Sequence, residues 1–273
     1  MSKKKVLLLV EGDKKEQRLL DKLFQIYDAE TSVEIVSYST NIYALYNPLF
    51  KDAEEEQIDL FMLLRSREKN KDRKKIFDEH FNEVLLIFDF DPQDSQYSTD
   101  KLDRLMRYFN NSTTNGRLFI NYPMVESLFH ISSWKESQDA FNNHYIEKSD
   151  LLSYKSIVDK ESCRYTDFKK FTRQQFDVLM KLNLLKVLFL LNVSLSEGLL
   201  CDAEKLYQIF QIESHALKKQ EIVYVLNTCI LYFYEYKPSF FDFFDDSDEL
   251  CLHKKLSITH GIVRHNVSQV QTA

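Results

Sequence analysis

Two short, unbroken apolar runs stand out in the first hundred residues. Lys5–Val10 ends in Glu11 and Gly12, and Glu83–Asp89 continues into Phe90, Asp91 and Pro92. Continuous runs of this length suit strands buried on both faces, as in parallel sheets covered by helices. Elsewhere the period changes. From about Lys14 to Tyr27, residues Leu19, Leu20, Leu23, Phe24 and Tyr27 recur on one helical face. Val33–Tyr38 alternates and is rich in β-branched residues, which predicts a second strand, and Asn41–Phe50 predicts a short helix. Asp52–His80 is densely charged, with Ile58, Phe61, Met62, Leu64 and Phe77 as apolar positions, and reads as two surface helices. Ser98 caps a predicted helix reaching Phe109, Asn115 and Gly116 mark a turn, and Arg117–Asn121 is a further strand. Pro123 is expected to open a helix. This alternation predicts an α/β fold over residues 1–132, a parallel sheet of about four strands flanked by helices.

After residue 132 the strand signals stop. Tyr165–Val193 and Cys201–Tyr236 carry long helical stripes, so 133–273 is predicted as a mostly α-helical C-terminal region for dimerisation, substrate or partner binding. Aromatics crowd the stretch Tyr224 to Phe244: Tyr232, Phe233, Tyr234, Tyr236, Phe240, Phe241 and Phe243 lie between those two. They point in too many directions for one core-facing stripe, which predicts burial against a second copy or a partner. From about His265 the periodicity fades, and the end is expected to fray.

Composition narrows the function classes. Glycine occurs only at Gly12, Gly116, Gly198 and Gly261, so each is worth a reason. The net charge of −6 argues against wholesale wrapping of nucleic acid but not against a local site. Basic clusters at Lys3–Lys5, Arg65–Lys75 and Lys160–Arg173 read as solvated faces unless the fold brings them together. Cys163, Cys201, Cys229 and Cys251 form no paired motif, and neither a leader-like segment nor an apolar stretch long enough for a bilayer is seen. The expectation is a cytoplasmic protein with free thiols and no membrane partner.

The chemistry gathers at strand ends. Ligands of open parallel sheets sit beyond the carboxyl ends of the strands. Glu11 follows the first buried run, and Asp89 and Asp91 end the third predicted strand, two residues apart and thus on the same side. Crowded carboxylates repel, and a divalent cation relieves this; Mg²⁺ or Mn²⁺ takes oxygen ligands. Gly12 is expected to let the backbone turn and a phosphate approach, with Lys14 nearby at the start of the following helix.

Leu9-Val10-Glu11-Gly12 and Ile87-Phe88-Asp89-Phe90-Asp91 resemble the two signature motifs of the toprim domain. The segment Asn121–His130, with Pro123, Glu126 and His130, is similar to the Pro-x-x-Glu and downstream His signature of RloB-like, defence-associated toprim proteins. The resemblance covers about the first half of the chain. It implies a metal-dependent nuclease acting on DNA or RNA in anti-phage defence, with a separate ATPase partner and homo-oligomerisation. It implies that Glu11, Asp89 and Asp91 bind Mg²⁺ or Mn²⁺, that Glu11 or Glu126 handles a proton, and that His130 contacts phosphate or shuttles a proton. Related nucleases of the overcoming-lysogenization-defect group carry a second acidic residue on the helix after Glu-Gly. Here Lys15 stands at that spacing, and Glu16 is the nearest candidate for a second metal.

Other readings stay open at this stage. Glu126 also reads as a capping carboxylate, and His130 as a hydrogen-bonded histidine of a half-buried helix. A phosphoaspartyl phosphatase of the haloacid-dehalogenase kind also ends a strand in Asp-x-Asp, with Asp245 and Asp246 as its late acidic pair, but leaves Glu11 and Gly12 unexplained. A non-catalytic toprim scaffold that binds nucleic acid or a partner is the third reading.

Overall fold

The computed structural model describes residues 3–12, 14–50, 59–162, 168–194 and 202–236. The first half is an α/β layer. Strand β1 (Lys5–Val10) leads through Glu11 and Gly12 to helix α1 (Lys15–Tyr27) and strand β2 (Ser32–Ser37). Helix α2 (Tyr43–Phe50) follows, then α3 (Leu60–Arg67) and α4 (Lys71–Lys74), which runs into a 3₁₀ turn at Lys75–Asp78. Strand β3 (Glu83–Asp89) returns through the centre, and α5 (Thr99–Tyr108) is capped by the Ser98 hydroxyl on the Lys101 N–H. A short strand β4 (Asn110–Asn111) turns back into β5 (Gly116–Asn121).

The sheet order is β2-β1-β3-β5-β4, with β4 alone antiparallel. Val6–Val10 of β1 are fully buried, and every residue of β3 is buried, as their unbroken apolar runs predict. The chain leaves β1 outward to β2, then crosses back to β3 on the other side of β1. The reversal of winding direction therefore falls between β1 and β3. Neighbouring connections part there, at the carboxyl ends of those two strands, which is where open parallel sheets place their ligand crevice.

The second half is mostly helical, as predicted, but it also contains a short strand pair that the sequence reading did not expect. After α6 (Gln138–Asn142) comes a strand, β6 (Tyr145–Glu147), then a 3₁₀ turn (Lys148–Ser153) and α7 (Tyr154–Glu161). Helices α8 (Arg173–Leu191) and α9 (Ala203–Gln220) are long, as their stripes predict. Strand β7 (Ile222–Tyr224) then pairs antiparallel with β6, and α10 spans Leu231–Tyr236. The region is helical in bulk, yet Cys201–Tyr236 is not one helical stripe. Three-residue strands are too short to show a period of two, and their partners lie far apart in sequence.

Three of the clustered aromatics turn into this chain's own core. Tyr232, Phe233 and Tyr234 are buried within this chain, with Phe233 stacked edge-on to Phe24 at 4.8 Å and 5.8 Å from Tyr27. Tyr122 and Leu226 exchange backbone hydrogen bonds, and the Thr228 hydroxyl donates to the Ile120 carbonyl at 2.7 Å. The segment after β7 thus closes over the first half, and both halves share one core. Phe240, Phe241, Phe243, Phe244, Asp245, Asp246, Ile58, Tyr165, Cys163, Cys201, Cys251, Gly198, Gly261 and the end from His265 lie outside the described residues. Among the described residues no helix is long and apolar enough to cross a membrane.

Candidate functional site

The crevice between β1 and β3 is lined from below by Glu11 and Asp89. A Glu11 carboxylate oxygen accepts from the Asp89 N–H at 3.3 Å, which ties the two strand ends together. Asp89 Oδ1 accepts from the Val125 N–H at 2.8 Å. Asp91 sits past the end of β3 with φ +39°, in the left-handed region where aspartate is better tolerated than most side chains. Its carboxylate accepts from the Gln93 side chain at 2.8 Å.

The segment after β5 does not form the expected helix at Pro123. The Pro123 carbonyl accepts from the N–H groups of both Phe90 and Asp91, which holds the segment against the end of β3. Met124 is extended, and only a 3₁₀ turn follows, from Val125 to Phe129. Glu126 and His130 are consequently not stacked on one face of an α-helix. Glu126 turns toward α1, where its Oε1 meets the Lys15 ammonium at 2.9 Å, while its buried Oε2 has no hydrogen-bond partner. His130 turns away. Its Nδ1 lies 3.1 Å from the Tyr154 hydroxyl and its Nε2 3.1 Å from Glu161. A carboxylate accepts, so Nε2 carries the proton and Nδ1 accepts from Tyr154. Burial lowers the His130 pKa, so the neutral ring is favoured.

Glu16 joins the cluster through Gly12. The Gly12 N–H donates to the Glu16 carboxylate at 2.8 Å, so α1 folds its own carboxylate back over its N-terminal end. The glycine matters here for space, since a Cβ at Gly12 would stand 3.0 Å from Glu16 Oε1. Its φ is not in the left-handed region, which corrects the expectation that it serves the turn. Lys14 is exposed and makes no capping hydrogen bond.

The electrostatics follow from burial plus crowding. Burial first, then Asp91, pushes the Glu11 carboxyl up to about 7. Burial raises Asp89 well above the carboxylate range, and Glu11, Glu16, Asp91 and Glu126 push it further. Asp91 and Glu16 are raised mainly by burial, against the Gln93 and Gly12 hydrogen bonds respectively. One residue that sequence reasoning missed belongs here. Burial works against the Lys155 ammonium, yet Glu126, Asp89, Asp91 and Glu16 hold its pKa above the ordinary value. Lys155 comes from α7, which packs on the Val125–Phe129 turn and is anchored by the buried Tyr154. No spacing links Lys155 to the strand ends, so no sequence signal could have found it; Lys15 was visible only as a departure from an acidic pattern.

The result is a cluster of five buried or half-buried carboxyl groups with two lysines at its edge. Among the described residues no three such groups already stand in a coordinating arrangement. Such a cluster can bind a hard cation, hold a proton near neutral pH, or do both. Comparisons with protein-family models, with curated proteins and with solved structures gave no match to this chain.

Proposed function

We propose that the crevice hydrolyses phosphodiester bonds in DNA or RNA with a divalent cation, as toprim-type nucleases do. One observation carries this reading: Glu11, Asp89 and Asp91 stand at the switch point of the sheet, each held against ionisation first by burial and then by neighbouring carboxylates of the cluster and its loop. Donor chemistry fits Mg²⁺ or Mn²⁺, because every candidate ligand is a carboxylate oxygen and Glu126 Oε2 is buried without a partner. When bound, such an ion supplies Lewis acidity toward a phosphoryl oxygen and makes water a better nucleophile.

The chain's residues then divide the work. Glu11, Asp89 and Asp91 hold the ion, and Glu16 is the candidate for a second. Glu11 or Glu126 would take a proton from the attacking water or return one to the departing oxygen. Lys155 and Lys15 supply positive charge for the phosphate. His130, tied to Tyr154 and Glu161, acts through Tyr154 rather than on phosphate directly.

The test is cleavage of plasmid, single-stranded DNA and tRNA with Mg²⁺ or Mn²⁺, with and without an ATPase partner. Wild type is expected to cut at least one substrate, Asp89→Asn none, and Lys155→Ala at a rate lowered roughly 10²-fold or more. Cutting by Asp89→Asn as fast as by wild type would sink the proposal. So would a covalent phosphate on Asp89 after incubation with a phosphomonoester, which would establish the phosphatase chemistry instead. Substrate binding without cleavage under any of these conditions would leave the non-catalytic scaffold.

A further inference from the structure

Helices α2 and α5 pack side by side. The Tyr43 hydroxyl donates to the carbonyl of Phe90, between Asp89 and Asp91, and its ring lies edge-on to Tyr97 at 5.7 Å. The Asn41 side chain donates to Asp94 at 2.8 Å, tying the start of α2 to the loop that leads into α5. Beyond Tyr43, α2 presents Tyr46 and Phe50, with ring centroids 5.1 Å apart. Tyr43 is buried, so the accessible part of this row is Tyr46 to Phe50, both half-buried, which spans about 6 Å at the α-helical rise.

Over this row α5 lays two cations. The Lys101 ammonium is 5.7 Å from the Tyr46 ring, and the Arg104 guanidinium is 4.3 Å from Phe50 and 5.9 Å from Tyr46. Arg104 is exposed and its described hydrogen bond goes to the Tyr46 hydroxyl at 3.4 Å. Neither cation pairs with a carboxylate among the described residues. The next basic residue, Arg107, is different: it is paired with Asp103 at 2.9 Å, so the row without carboxylate partners among the described residues ends there. Like charges three apart on a helix repel and destabilise it. A polyanion on this face would offset that cost.

The stacking also specifies the ligand. A guanidinium lying on a ring has one face covered, while its other face and its N–H edge remain open. The open face can take an unpaired base and the edge a phosphate oxygen. A duplex keeps its base faces stacked and cannot use such a platform. We infer that the α2–α5 face is the track along which a single strand of nucleic acid reaches the crevice, with phosphates on Lys101 and Arg104 and a base on Arg104. This takes its substrate class from the nuclease reading and narrows it to unpaired strands.

The experiment is fluorescence anisotropy on the full chain in EDTA, with labelled single-stranded DNA and RNA of about 12 nucleotides and the matching duplex. Wild type is expected to bind a single strand more tightly than the duplex. Lys101→Glu with Arg104→Glu should weaken that binding roughly tenfold or more and flatten the log–log salt slope by about 1.4, two contacts at about 0.7 each. Arg104→Lys should keep the salt slope but lose affinity, because the charge stays and the stacking plane goes. Circular dichroism melts check that the variants fold. Binding by the double variant equal to wild type, duplex binding as tight as single-strand binding, or no binding at all overturns the track. Intact binding without cleavage defeats the nuclease reading alone, and undiminished cleavage by the double variant defeats the track alone.

Discussion

At the scale of single residues, the crevice holds carboxyl groups against their own ionisation. Glu11, raised from 4.5 to about 7 by burial and then by Asp91, binds its proton more tightly folded than unfolded. Its contribution to stability is therefore largest below about 4.5 and falls as pH climbs toward about 7. Asp89 and Asp91, also raised, push in the same direction. Without divalent cations the melting temperature should fall across that window, and Mg²⁺ should oppose the fall; a flat or rising profile in EDTA would contradict this account. Asp89→Asn fixes the neutral form that burial and crowding favour and keeps an oxygen to accept the Val125 N–H. At neutral pH in EDTA it should melt higher than wild type, by roughly 2–4 °C for each kcal/mol relieved. Glu11, Asp89 and Asp91 were legible in the sequence because each is tied to the end of an apolar run. Lys155 was not, because its place depends on how α7 packs.

Among the elements, β3 and β5 illustrate how much a local rule can carry. Asn115-Gly116 reads as a turn, and Gly116 adopts φ +104°, a conformation that L side chains rarely take. A Cβ there would also stand 2.6 Å from Leu86 Cδ1 in the buried β3. Gly116→Ala should thus destabilise the fold by about 1–3 kcal/mol, measured by urea unfolding. A loss within experimental error would show that the turn relaxes freely. The Pro123 segment marks the limit of such rules. Proline at a helix start is a sound local preference, but the strand end competes for its carbonyl and wins with hydrogen bonds from Phe90 and Asp91. That competition aims Glu126 at Lys15 and turns His130 away.

For the whole molecule, the decisive feature is that the segment after β7 packs on the first half. Phe233 is 1% exposed between Phe24 and Tyr27, and Thr228 and Leu226 bond to the backbone beside β5. A shared core predicts one cooperative transition. Fluorescence of Trp134, the single tryptophan, should follow the same urea curve as far-UV circular dichroism. Phe233→Ala should shift both together by about 3–5 kcal/mol. Two separated transitions, or a shift seen by one probe alone, would mean that the halves unfold independently.

The sequence by itself determined the α/β class, the central strands β1 and β3, the helices α1, α5, α8 and α9, and the three carboxylates at the strand ends. Each of these rests on a pattern within about twenty residues, where burial on one or both faces imposes a period on the chain. Only the tertiary structure decided the rest. It paired β6 with β7 across the length of α7, α8 and α9. It brought Lys155, Lys15 and Glu126 to the carboxylates, laid Lys101 and Arg104 over the α2 aromatics, and buried the Tyr232–Tyr234 aromatics in the chain's own core. These outcomes depend on which surfaces meet once separate segments have folded, and side-chain type along a single segment does not encode the segment it will face.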